Sequence, residues 1–212
     1  MAITNPAEPN AILRVMNFLH RQWVFHRRAH VLSALLADLV PAGAVVLDVG
    51  CGDGTIGYLI GQMKPTALVH GIEVAPRPSC LIECRGFDGV HIPLSDASVD
   101  VCLFVDVLHH TTNIAGLLRE ARRVTRRYVL IKDHLCEGKF DRTVLSVMDW
   151  VGNRGRGVRL PYNYQSKVQW HQILSDCGLR LVSSNEALSL YPPPFDLLFG
   201  RGLHIVGLCE KA

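Results

Sequence analysis

Short apolar runs alternate along the chain with segments in which apolar residues recur at helical spacing. Strands are predicted at 44–49, 67–74, 99–105, 128–132, 179–183 and 203–208, with a weaker one at 80–84. Helices are predicted at 55–63 and 114–124, and residues 11–40 predict two more, which end before Pro41-Ala42-Gly43. Strands that alternate with helices imply parallel crossovers, so the pattern predicts an α/β fold whose sheet is covered on both faces.

The end of the chain departs from this alternation. Pro192-Pro193-Pro194 stands between the last two predicted strands, and no pattern there indicates a crossover helix of normal length. Parallel strands need such a crossover, whereas antiparallel strands do not. The last two strands are therefore expected to be antiparallel.

Composition and charge narrow the class of protein. Of the 212 residues, 49% are apolar and 19% are charged, which is typical of a globular chain. The net charge of +3 does not indicate nucleic acid as an obligatory partner. Every apolar run is interrupted by a charged residue or a histidine, and residues 1–10 lack the pattern of a secretory signal. We therefore expect a cytoplasmic protein.

The seven cysteines form no pattern of metal ligands. Cys80 and Cys84 are the closest pair and have no second pair at zinc spacing, so no metal ion is predicted. Cys51, Cys102 and Cys209 lie in apolar, strand-like runs and are expected to be buried, reduced thiols. The odd number also argues against a fully paired disulfide framework.

Gly50, Gly52 and Gly54 follow a predicted strand and precede a predicted helix. Glycine allows a sharp turn and a close approach to a ligand, and the first helical turn offers free N–H groups to a carboxylate. The residues from Gly52 to Gly57 also fit G-x-G-x-x-G, which is typical of dinucleotide binding. Because Asp48 and Gly50 come earlier, the full pattern is D-x-G-x-G-x-G, which favours a different nucleoside cofactor.

Glu73 ends the second predicted strand. A carboxylate about 20 residues beyond a glycine loop can accept hydrogen bonds from both hydroxyls of a ribose. A nicotinamide dinucleotide carries such a ribose, as do other nucleoside cofactors. Glu73 therefore supports either choice, and an NAD(P)-dependent oxidoreductase remains an alternative.

Further motifs follow the glycine loop in a fixed order. They are Glu73, Phe87-Asp88-Gly89, the run 92–100 and Val105-Asp106-Val107-Leu108-His109-His110. Together with residues 46–54, this series resembles the motifs of class I S-adenosylmethionine-dependent methyltransferases, in the style of the small ubiquinone and menaquinone biosynthesis enzymes. The resemblance covers residues 44–134 and implies S-adenosyl-L-methionine as the cofactor. It also implies a Rossmann-like, seven-stranded, mainly parallel sheet with helices on both faces and an antiparallel last strand.

The resemblance implies a role for each matching residue. Asp48 would brace the loop and the methionine amino group, Glu73 would take the ribose hydroxyls, and Asp88 would accept the adenine amino group. The positions implied to contact the cofactor are Asp48, Gly50, Cys51, Gly52, Gly54, Glu73, Val74, Asp88, Gly89, Asp106, Val107 and His109. Residues 75–85 depart from the family pattern, because Ala75-Pro76-Arg77-Pro78 leaves almost no room for the usual helix.

The candidates for the acceptor side rest on the chemistry of methyl transfer. Displacement at a sulfonium requires an oriented acceptor and the exclusion of water, and a general base only where the acceptor loses a proton. His109 and His134 follow predicted strands at the edge where ligands gather, and Asp133 could orient one of them. These three are the candidate catalytic residues, whereas His110 is expected to be structural.

Three other segments each have a functional and a structural interpretation. The stretches 149–153 and 160–164 could shape an acceptor pocket or pack their own aromatic residues. The N-terminal lid, with Trp23 and Phe25 among arginines, could touch a lipid-like acceptor or a membrane surface, although packing on the domain is favoured. The arginine run 119–127 could touch RNA, although a solvated helix face is favoured.

The sequence therefore predicts a single-domain methyltransferase that acts on a small metabolite or lipid-like acceptor. Its parts would be a helical lid at 1–43, a cofactor-binding half at 44–134, and an acceptor-side insertion with the last strand pair at 135–212. Besides the oxidoreductase, an RNA methyltransferase and an S-adenosylmethionine-binding partner protein without turnover remain alternatives. No oligomeric state is predicted.

Overall fold

Seven strands form one sheet in the computed structural model, which describes residues 25–153, 160–193, 195–200 and 202–212. They are β1 (Val45–Val49), β2 (Leu68–Glu73), β3 (Cys84–Gly86), β4 (Val99–Val105), β5 (Thr125–His134), β6 (Leu179–Asn185) and β7 (His204–Lys211). Their order is β3-β2-β1-β4-β5-β7-β6. Neighbours from β3 to β5 are parallel, whereas β7 is antiparallel to both β5 and β6. The predicted fold class and the antiparallel last pair are confirmed.

Helices pack on both faces of this sheet. They are α1 (His26–Leu39), α2 (Thr55–Met63), α3 (Ile114–Val124), α4 (Lys139–Asn153), α5 (Lys167–Asp176) and α6 (Phe195–Phe199), with a 3₁₀ turn at Leu108–His110. The first of the two helices predicted within 11–40 lies outside the described residues, and the second is α1. None of the helices in the described ranges is both long and apolar enough to cross a membrane.

The two faces of the sheet form separate hydrophobic cores, because successive side chains of a strand point to opposite faces. Val101 and Leu103 of β4 enter the core that contains Leu32 and Leu36 of α1. Cys102 and Phe104, the alternate residues of β4, enter the core shared with α3 and α5. The central strand is buried on both faces, so it reads as a continuous apolar run in the sequence.

The order in which successive strands are added to the sheet reverses between β1 and β4. From β1 the strands run outward through β2 to β3 on one side, and from β4 through β5 on the other. In open α/β sheets, ligands bind beyond the carboxyl ends of the strands at such a switch point. A ligand is therefore expected to contact the residues that follow β1, β2, β4 and β5.

The strand predicted at 80–84 is wrong in its position. The observed strand is β3, Cys84–Gly86, which pairs with Gly71–Glu73 of β2. The apolar residues before it cover glycines: a side chain at Gly57 or Gly71 would meet Ile82, and one at Gly54 would meet Cys80. The apolar run therefore packs against the glycine loop and its neighbouring glycines. Residues 75–83 form turns and bends, as the prolines suggested.

Three of the described helices were not predicted from the sequence: α4, α5 and the five-residue α6. Both α4 and α5 lie in the region that was expected to be an insertion. α5 begins with a capping box, in which the Ser166 hydroxyl accepts from the Gln169 N–H and the Gln169 side chain accepts from the Ser166 N–H. The S-x-x-Q pattern in the sequence was the signal that could have located it.

Candidate active site

The glycine loop after β1 lies against the end of β2. The N–H groups of Gly50 and Cys51 both donate to the Ile72 carbonyl, at 2.8 and 3.2 Å. Gly50 has a φ of +72°, and a Cβ added to it would lie 2.7 Å from a methyl group of Val107. Glycine is required there both for the left-handed conformation and for the close approach to the residue after β4.

Glu73 joins the end of β2 to the loop. One carboxylate oxygen accepts from the Gly52 N–H at 2.8 Å, and the other accepts from the Val74 N–H at 2.8 Å. A side chain added to Gly52, whose φ is +61°, would meet no atom within 4 Å. The loop is therefore fixed by Glu73 on one side and open at Gly52 on the other.

Asp48 is a carboxyl group at the end of β1 that is only 2% exposed. Burial raises its pKa to about 7, and the nearby charge of Glu73 acts in the same direction. A carboxyl group in this setting gains from the arrival of a positive charge, because the charge stabilises its ionised form.

Asp88 and Gly89 follow β3 on the same edge of the sheet. The Asp88 carboxylate accepts from the N–H groups of Val90 and His91, both at 2.7 Å, and pairs with the His91 ring at 2.9 Å. These hydrogen bonds, first of all that from the His91 backbone, lower the pKa of Asp88 to about 2. Gly89 lies near Val74, so the predicted adenine side is next to the end of β2.

Asp106 follows β4 and forms ion pairs with Arg28 of α1 and Lys132 of β5. Its φ is +55°, a conformation that is uncommon for residues other than glycine. Burial would raise the pKa of Asp106, but the charges of Lys132 and Arg28 hold it well below its usual range. The carboxylate predicted at the methionine end is therefore ionised and fixed by two cations.

His109 and Asp133 form a buried pair, as the sequence suggested. His109 Nδ1 lies 2.6 Å from one oxygen of Asp133, and the other oxygen accepts from the Leu108 N–H at 3.0 Å. Both side chains are 1% exposed. Burial alone would lower the pKa of His109, but the charges of Asp133 and Asp149 outweigh it and raise the pKa to about 10.

Asp149 of α4 completes this cluster and was not among the predicted site residues. One of its oxygens lies 3.4 Å from His109 Nε2 and accepts from the Tyr164 hydroxyl at 2.5 Å. Its other oxygen lies 3.8 Å from His134 Nε2. Asp149 and Tyr164 belong to the two polar and aromatic stretches, so those stretches contribute buried polar groups to the site.

The structure brings the three candidate catalytic residues together. His134 lies at the end of β5, and its ring centroid is 4.7 Å from that of His109. His204 of β7 extends the cluster, with Nδ1 3.2 Å from Lys132 Nζ and Nε2 2.8 Å from the Phe199 carbonyl. The sequence did not predict Arg28, Lys132 and His204 as site residues, because they reach the site only when α1, β5 and β7 pack together in the fold.

The arginine run is not one helix face, because α3 ends at Val124 and Arg126 and Arg127 lie on β5. Arg122 donates to the Gly178 carbonyl, and Arg123 pairs with Glu120 and Asp96. Arg126 pairs with Asp100, and the Arg127 guanidinium lies 5.5 Å from the Tyr128 ring. The expected helix face is therefore wrong for Arg126 and Arg127, and the contacts of these arginines within the protein do not favour RNA.

Cys80 and Cys84 do have a sulfur neighbour, contrary to the expectation from spacing. The Sγ atoms of Cys51 and Cys84 are 3.4 Å apart, and the three thiol sulfurs lie within 4.8 Å of one another. Cys51, Cys102 and Cys209 are buried and free, as expected. The fold brings the thiols together because the segment before β3 covers the glycine loop.

Residues 47–130 match a family model described as a methyltransferase domain. The demethylmenaquinone methyltransferase of Tropheryma whipplei (strain Twist) is 33% identical over 96 residues, which are 41% of this chain and 39% of that protein. The chain thus matches well under half the length of the curated relatives.

Solved structures resemble this chain over nearly its whole length. A Haloferax volcanii protein in complex with the methyltransferase activator Trm112 has a TM-score of 0.65 at 15% identity, covering 93% of this chain and 95% of that one. An S-adenosylmethionine-dependent methyltransferase of Aquifex aeolicus has a TM-score of 0.60 at 18% identity, covering 94% and 96%. At such identities the likeness shows the fold.

The fold and the matched segment together define the class. The chain has the class I methyltransferase fold, and residues 47–130 match a methyltransferase domain, so the resemblance predicted from its motifs is confirmed. The cofactor of this class is S-adenosylmethionine, and the domain and the named relatives support a methyltransferase. The antiparallel β7 and the matched domain favour this class over the dinucleotide-dependent alternative.

Proposed function

We propose that this chain transfers the methyl group of S-adenosylmethionine to a small-molecule acceptor at the carboxyl edge of its parallel strands. The junction between the glycine loop and Glu73, made by the Gly52 N–H, carries the proposal. This junction lies beside the switch point of the sheet, where nucleoside cofactors bind in related topologies. The methyltransferase domain match over 47–130 supports the same assignment.

The residues of the loop fit this cofactor. The open space at Gly52 leaves room for a ligand close to the backbone, and the N–H groups in the first turn of α2 suit a carboxylate. Asp48 is a buried carboxyl group suited to an ammonium group, and Glu73 retains lone pairs for ribose hydroxyls. Asp88 and Gly89 would hold the adenine side, with Val74 next to them.

The buried cluster after β4 and β5 would receive the acceptor. Bound S-adenosylmethionine supplies an electrophilic methyl group on a sulfonium. His109, Asp133 and His134 are at most 5% exposed, so they can orient an acceptor in a site from which water is excluded. An enclosed cluster favours a small acceptor over a macromolecule, and the paired arginines do not favour RNA.

Calorimetric titration with S-adenosylmethionine and S-adenosylhomocysteine tests the proposal, with NADH and NADPH as controls. We expect binding of the two sulfur ligands only. Glu73→Ala should weaken it by about 10- to 100-fold, because hydrogen bonds to a charged acceptor contribute about 1.5–3 kcal/mol. Gly52→Val should abolish it, because the side chain fills the open space and is strained at positive φ.

Two further variants separate loss of binding from loss of structure. Glu73→Gln keeps an acceptor for the Gly52 N–H, so the loop should stay in place while affinity still falls. Glu83→Ala removes an exposed carboxylate that pairs with Arg85 and His70, and it should leave the affinity unchanged. Binding of a nicotinamide nucleotide alone would overturn the proposal.

Once cofactor binding is established, candidate acceptors are screened for methylation. Turnover with a metabolite or lipid-like acceptor would support a small-molecule methyltransferase. Tight cofactor binding without methylation of any small acceptor, combined with methylation of RNA or activation of a partner protein, would instead favour one of the two remaining alternatives.

A further inference from the structure

Three buried side chains place potential metal ligands at one point. His109 follows β4, His134 ends β5 and Asp149 lies on α4. One ligand atom of each lies within 4.8 Å of the other two, and all three residues are buried. The fold thus joins two imidazoles and a carboxylate that are far apart in the sequence.

Asp133 fixes the orientation of the His109 ring. Its Nδ1 pairs with Asp133 at 2.6 Å, which leaves Nε2 directed toward Asp149. Nε2 is buried and makes no hydrogen bond to any described residue, although a buried imidazole nitrogen normally has a partner. A carboxylate behind a histidine is the usual support for a metal-binding imidazole, because it fixes both the ring and the tautomer.

The distances suit a metal ion at the centre of the three groups. His109 Nε2 and His134 Nε2 lie 3.4 and 3.8 Å from the two oxygens of Asp149. Ligand bonds of about 2.1 Å in a tetrahedral site place neighbouring donor atoms about 3.4 Å apart. All three donor atoms lie within 4.8 Å of one another, so side-chain shifts of about 1 Å would bring them into coordination range.

Among the described residues, two carboxylates of the cluster have no lysine or arginine partner. Asp106 is paired with Arg28 and Lys132. Within the described part of the chain, Asp133 and Asp149 form ion pairs with histidines only. Buried carboxylates require a compensating positive charge, which a bound cation can provide.

We propose that His109, His134 and Asp149 bind a divalent transition metal ion such as Zn²⁺. Two imidazoles and one carboxylate form a donor set used for Zn²⁺ and for related first-row metals, whereas Mg²⁺ and Ca²⁺ prefer oxygen donors only. Asp133 positions His109, and the Tyr164 hydroxyl donates to the Asp149 oxygen that faces His109 Nε2. The proposal concerns metal binding alone and does not depend on the methyl-transfer assignment.

Metal titration of the chelator-treated chain of 212 residues tests this inference. We expect one Zn²⁺ per chain with micromolar or tighter affinity, and an increase in melting temperature on binding. Co²⁺ should bind in the same place and give visible ligand-field bands without a thiolate charge-transfer band. This spectrum is measured on the unchanged protein, so it does not depend on how well any variant folds.

Matched variants locate the metal ion. His134→Gln and Asp149→Asn should each weaken binding at least tenfold, and circular dichroism checks that both still fold. His70→Ala removes a half-exposed histidine that pairs with Glu83 and should have no effect. Binding of less than one ion per chain at tens of micromolar metal would overturn the proposal. So would a thiolate band lost in Cys84→Ser, which would place the ion among Cys51, Cys80 and Cys84 instead.

Discussion

Asp48 combines burial with a pKa of about 7, and the groups that face it are Glu73 from β2 and Cys51 from the loop. At pH 6 the free protein therefore holds a proton on Asp48. An ammonium group beside the carboxyl favours its ionised form and lowers the pKa. Binding of S-adenosylmethionine at pH 6 should then release up to about one proton per cofactor.

Calorimetry in two buffers with different ionisation enthalpies measures this proton release. Asp48→Asn cannot ionise and should release none while remaining folded. The effect should fade in the unchanged protein near pH 8, where Asp48 is already ionised. Equal proton counts for the two proteins at pH 6 would contradict the assignment of Asp48 to the methionine amino group.

Gly50 is constrained by two separable effects, its positive φ and its contact with Val107. Gly43 has a similar φ of +70° but no atom within 4 Å of an added Cβ, so it is a matched control. Gly43→Ala should lower the free energy of unfolding by about 1–2 kcal/mol, from left-handed strain alone. Gly50→Ala should lower it by a further 1–3 kcal/mol or so, because the added methyl overpacks the site.

Urea unfolding of both variants gives the comparison. Combining Gly50→Ala with Val107→Ala should recover most of the extra loss, because it removes the methyl groups in the way. Equal destabilisation at positions 43 and 50 would show that the contact with Val107 does not constrain the loop.

At the level of elements, α1 both packs on the sheet and contributes a charged side chain to the site. Arg28 extends from this helix to Asp106, and its side chain is 20% exposed. Arg28→Ala leaves Asp106 with Lys132 as its one remaining strong cation and should lower the free energy of unfolding by about 1–3 kcal/mol. The adjacent Arg27 is exposed, so Arg27→Ala should change it by less than about 0.5 kcal/mol. Chemical denaturation of the two variants checks the difference.

The elements that the sequence predicted best are those with one dominant pattern. β4 and α3 were located residue for residue, because β4 is a continuous apolar run and α3 has a single apolar stripe. β3 was displaced, because apolar residues 80–82 pack on glycines instead of pairing in the sheet. α4 is amphipathic and buries Leu145 and Asp149, but it was missed because its region was interpreted as an insertion.

At the scale of the whole molecule, the predicted site divides into two parts. The residues predicted for the cofactor side follow strand ends in order along the chain, and their contacts with the cofactor stay a prediction. The buried cluster could be predicted only for His109, Asp133 and His134, which share this signal. Arg28, Asp149 and His204 lie on α1, α4 and β7. Their positions in the cluster depend on how these elements pack, which no local sequence pattern predicts.

The position of β7 also affects how the molecule can be made. β7 lies between β5 and β6, and it pairs with β5 over the seven positions from Tyr128 to His134. During synthesis β5 and β6 leave the ribosome before β7, so β6 has no neighbour to join and β5 presents an unpaired edge. The apolar residues Val129 to Ile131 lie on that edge, where another nascent chain could pair with them. Pairing of β7, the last of these seven strands, with β5 therefore covers this edge and ends its exposure.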